Sequence, residues 1–62
     1  MINVIKRYEK YGQIVCHIIH YDHPIDPMFI VLGMDGDKLV DVGTAKTQAE
    51  AEKSAVDFIN KI

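Results

Sequence analysis

Ile2-Asn-Val-Ile-Lys-Arg-Tyr-Glu-Lys-Tyr11 opens the chain with Val4, Ile5, Tyr8 and Tyr11 recurring at intervals near three and four, and with Lys6, Arg7 and Lys10 between them. That recurrence is the period of one helical face, so the stretch predicts a short helix. Asn3 suits its N-cap, and Gly12 suits a stop just past its end. The residues that follow read differently. Gln13 to Tyr21 contains Ile14, Val15, Ile18, Ile19 and Tyr21, the β-branched and aromatic composition of a strand. Asp22-His23-Pro24-Ile25-Asp26-Pro27 ends it, because two prolines exclude a central strand and predict a loop.

Met28 to Met34 predicts a second strand, with Phe29 and Val31 on one face and Ile30 and Leu32 on the other. Asp35-Gly36 is a hairpin signal, and Leu39 to Val42 then forms a third, short strand antiparallel to the second. Thr47 followed by Glu50 is a capping box. Beyond it Ala51, Ser54, Ala55, Phe58, Ile59 and Ile62 mark one helical face through to Ile62. The expected fold is α+β, in the order α-β-β-β-α: a three-stranded antiparallel sheet with two helices packed on one face around one core. The small residues Ala51, Ser54 and Ala55 let the second helix approach the sheet closely near its start, with Phe58, Ile59 and Ile62 filling space near its end.

The 62 residues are room for one domain, 1–62, with a thin core. The composition, 48% hydrophobic and 26% charged, excludes a disordered chain. One cysteine, Cys16, makes no internal disulfide, and the chain reads as intracellular, cytoplasmic or nuclear. No apolar run approaches the ~20 residues of a membrane span. The net charge of −2 places no strong polyanion-binding bias on the chain as a whole. Its distribution is uneven, however: Lys6, Arg7 and Lys10 lie near the start, whereas Asp22, Asp26, Asp35 and Asp37 lie in a stretch with no positive residue.

The run Gly43-Thr-Ala-Lys-Thr-Gln-Ala-Glu-Ala-Glu-Lys-Ser-Ala55, with Phe29-Ile-Val31 and the order of the elements, resembles the double-stranded RNA-binding domain family over about Ile2 to Ile62. The resemblance implies a domain lying along an A-form duplex. The first helix and first hairpin loop would touch two minor grooves, and the start of the second helix would grip the phosphates between them. On this chain it points to Lys6 and Arg7 in the first helix and His23 in the loop, where Ile25 stands at the family's histidine spacing. At the second helix it points to Lys46, Thr47, Gln48 and Lys53; the family's lysine pair aligns with Gln48 and Ala49, so the implied contact is weak.

Other readings compete at the same residues. A capped helix start accounts for Thr47, Gln48 and Glu50 without any ligand, and a solvated helix face accounts for Lys6, Arg7 and Lys10. Cys16, His17, His20 and His23 include zinc-ligand types. Strand alternation separates His17 from Cys16 and His20, so no metal site is assigned, and no cofactor. No nucleophile is accompanied by an orienting group, so no enzyme is expected. The expected function is weak, sequence-independent contact with double-stranded RNA, within a larger RNA-processing protein or assembly. The alternative is a domain of this type that has lost RNA binding and serves protein–protein association or homodimerisation, with Leu39–Val42 as a candidate edge strand.

Overall fold

The structure is a computed structural model that describes residues 2–62. Five elements follow one another: β1 (Ile2–Lys10), β2 (Gln13–Tyr21), β3 (Met28–Asp35), β4 (Lys38–Ala45) and α1 (Gln48–Lys61). The four strands form one antiparallel sheet in the order β1-β2-β3-β4, and α1 packs across β2, β3 and β4. The expected α-β-β-β-α order, with three strands and two helices on one face, is therefore corrected to β-β-β-β-α. The segment read as a first helix is the first strand.

Bulges disguise that strand. Val4 faces Ile19 and Lys6 faces Ile18, so Ile5 is an extra residue in β1. Tyr8 faces Cys16 and Glu9 faces Ile14, so Val15 is an extra residue in β2. A bulge interrupts the two-residue alternation of a strand. The apolar residues of β1 then fall at intervals that imitate a helical face. Gly12, read as a helix stop, belongs instead to a two-residue hairpin connection. Tyr11 and Gly12 have φ of 55° and 76°, the left-handed pair that a type I′ turn requires.

The other elements lie where their residues indicate. β2 spans the predicted Gln13–Tyr21, and residues 22–27 form the loop after it. Gly36, with φ of 66°, begins the turn between Asp35 and Lys38. β4 is longer than the predicted Leu39–Val42 and contains a bulge at Val42, since Leu32 faces Asp41 while Val31 faces Gly43. Thr47 caps α1 in extended conformation, its hydroxyl accepting a hydrogen bond from the Glu50 N–H at 3.2 Å.

The core lies between α1 and one face of the sheet. Cys16, Ile18, Val31, Ala45, Ala51 and Ala55 are buried there, and Tyr8, Val15, Phe29, Val42, Phe58 and Ile59 pack around them. Ala51 and Ala55 have no exposed surface, as close approach of the helix requires. Further along, the Phe58 ring lies against the backbone of Gly33, where a Cβ would collide with it. Ile62, expected on the same face, is exposed.

Candidate interaction surface

Of the residues expected to touch RNA, Lys6 and Gln48 meet at Glu52 near the start of α1, whereas Arg7 lies on the other face of the sheet. Lys46, Gln48 and Lys53 are exposed around the start of α1, and Thr47 is engaged as its cap. Lys6 projects from β1 toward α1, where its Nζ lies 2.6 Å from Glu52 Oε1. The pairing holds the Glu52 carboxyl below its ordinary pKa and the Lys6 ammonium above its own, chiefly through their hydrogen bond. Arg7, one residue on, points through the opposite face of the sheet. His23 closes its own loop: Nδ1 accepts hydrogen bonds from the backbone N–H groups of Ile25 and Asp26, both at 3.2 Å. The helix that would have entered a minor groove is a strand, so Lys6 and Arg7 share no helical face.

Cys16 and His20 share the face beneath α1, and His17 lies on the other, as alternation requires. Burial pushes the Cys16 thiol above its ordinary pKa, which leaves it a poor nucleophile. His20 stacks on Phe29 with ring centroids 4.7 Å apart. No group of three or more His, Cys, Asp or Glu side chains suited to a metal ion occurs among the described residues. A cleft of about 340 Å³ between β4 and α1, lined by Val42, Ser54, Asp57, Phe58 and Lys61, is shallow and wide open to solvent.

The largest feature is the other side of the sheet. Ile18 and Val31 are buried under α1, so Ile19, Ile30 and Leu32 point away from it. Register aligns the outward residues in rows across the strands. Val4, Ile19, Ile30 and Thr44 form one row; Arg7, His17, Leu32 and Asp41 form the next. Flanking rows bring Tyr21 beside Met28 and Met34 beside Leu39. No element among the described residues covers this face. Its central side chains are half-buried only by their neighbours in the sheet, while Val4 and Leu39 at the margins are exposed.

Strand alternation in the sequence places Ile30 and Leu32 opposite Phe29 and Val31, but it does not show what covers them. The signal was present in Met28-Phe-Ile-Val-Leu32, because a continuous apolar run belongs to a strand buried on both faces. Among the described residues no helix is long and apolar enough to cross a membrane. The chain matches no family model, no curated protein and no solved structure.

Proposed function

We propose that the chain is a protein-association domain and that the uncovered face of its sheet is the docking surface. One observation carries this reading: the sheet is apolar on both sides, with Ile19, Ile30 and Leu32 facing away from the only helix among the described residues. An exposed apolar patch of this extent on a small protein is characteristic of an interaction surface. The basic residues offer less. Lys6 is paired with Glu52, Glu50 and Glu52 stand beside Lys53, and Arg7 lies across the sheet.

The test separates a docking surface from a structural one. In the combined variant Ile30→Thr, Leu32→Thr the helix side of the sheet is untouched. It should unfold cooperatively, with urea stability at micromolar concentration within about 1 kcal/mol of the parent, because these side chains pack on no second layer. It should also lose association detected by sedimentation at higher concentration. Loss of the fold itself would mean that the face belongs to the structural core. In parallel, a duplex RNA of about 20 base pairs is titrated at two salt concentrations; saturable binding that Lys46→Ala, Lys53→Ala removes would replace this reading with an RNA-binding one.

A further inference from the structure

Resting on the docking reading above, we infer that the occupant of this face is a second copy of the chain, placed by a two-fold axis parallel to the strands between β2 and β3. The row Arg7, His17, Leu32, Asp41 is self-complementary under that operation alone. Arg7 and Asp41 occupy the two edge strands of the sheet, point through the uncovered face, and make no ion pair among the described residues. They lie three strand spacings apart, roughly 14 Å, too far to meet within one sheet.

The axis parallel to the strands carries β1 of one protomer over β4 of its partner. Arg7 then stands over the partner's Asp41, and Asp41 over the partner's Arg7, while His17 faces the partner's Leu32. In the adjacent row, Ile19 meets the partner's Ile30. Packed sheets lie about 10 Å apart with strands within about 30° of each other, a gap that an arginine and an aspartate side chain span together. The other in-plane axis, perpendicular to the strands, stacks β1 on β1 and β4 on β4. It would bring Arg7 onto Arg7 and Asp41 onto Asp41.

Two further observations favour this arrangement over pairing through strand edges. Both edge strands carry a bulge, at Ile5 in β1 and at Val42 in β4, and bulges disrupt the flat ladder that edge pairing needs. The face itself has a suitable size. Four strands about 4.8 Å apart and eight residues at about 3.3 Å give roughly 500 Å² in projection on each protomer. Two such corrugated patches approach the ~1,200 Å² at which specific stable interfaces begin.

Charge reversal tests the geometry. In Arg7→Asp the two interprotomer contacts become Asp–Asp, and in Asp41→Arg they become Arg–Arg. Each variant alone should dissociate, raising the dimer Kd by about tenfold or more in sedimentation equilibrium. An equimolar mixture should recover the dimer to within about threefold of the parent, because both contacts in the mixed dimer pair opposite charges. Recovery also shows that neither substitution unfolds the chain. A strictly monomeric parent at high concentration overturns the inference of a second copy. If Ile30→Thr, Leu32→Thr dissociates the dimer while the charge variants and their mixture behave like the parent, the axis is wrong and the docking surface stands.

Discussion

Gly33 shows how much of this fold depends on single contacts. It is buried in β3, and the Phe58 ring of α1 occupies the space that a side chain there would need. Gly33→Ala forces the ring or the helix outward, and overpacking of this kind costs about 1–3 kcal/mol. Phe58→Leu in the alanine background should return part of that loss. A double-mutant cycle by urea unfolding would show a coupling of at least about 0.5 kcal/mol if the two positions share the contact. Ala51 and Ala55 follow the same logic closer to the helix start. Enlarging either to leucine should destabilise by a similar ~1–3 kcal/mol, and variants that melt like the parent would contradict the placement of that face. These positions were legible beforehand, because small residues at helical spacing announce a close approach. The glycine was not, since its partner lies in a different element far along the chain.

The ties between β1 and α1 operate at the scale of elements. Lys10 Nζ donates to the Ile59 carbonyl at 3.0 Å, placing a cation at the C-terminal end of the helix, where the dipole favours it. Lys10→Met retains the apolar stem and removes the charge. It should weaken the last turn by ~0.3–1 kcal/mol, seen as faster amide exchange around Ile59 to Ile62. Lys6 and Glu52 form a second tie, exposed to solvent and therefore screened by salt. Glu52 is held below its ordinary carboxyl value of 4.5, so its share of stability is present above that pH and is lost as pH falls through the lowered value. Lys6 is raised above 10.5, so its share is present below that pH and is lost as pH rises through the raised value. Glu52→Gln should flatten the acid side of the melting curve slightly and leave neutral stability nearly unchanged. A steep acid dependence that survives this substitution would assign it to other carboxylates. The same strand explains the failure of the helical reading. Lys6 and Lys10 reach the helix because they occupy the covered face of β1, whereas a helical pattern would have made them its wet face.

Across the whole molecule, the core is small for the work it does. Six hydrophobic residues are buried among those described, and three of them are alanine. A chain of this length buries only about 60% of its unfolded surface, and without an internal disulfide it gains much from oligomerisation. The melting temperature should therefore rise with protein concentration, since association stabilises the folded state by mass action. Ile30→Thr, Leu32→Thr should remove that dependence. A concentration-independent melting temperature in the parent, measured by calorimetry over a wide range, would leave the small core as the sole source of stability.

The local elements with unambiguous chemistry were written in the residues. Thr47 and Glu50 set the start of α1, Gly36 set a hairpin, Pro24 and Pro27 held residues 22–27 out of the sheet, and the composition of Gln13 to Tyr21 required a strand. Those signals act within a few neighbours and need no partner to be read. The state of Ile2 to Lys10 was decided by pairing. Its apolar spacing suits a helix, its β-branched and aromatic content suits a strand, and the ladder with β2 resolves the conflict by absorbing the extra Ile5 and Val15 in bulges. The candidate site was decided in the same way. Arg7, His17, Leu32 and Asp41 lie on four different strands, and only the register of three antiparallel pairings brings them into one row on a face that α1 leaves open.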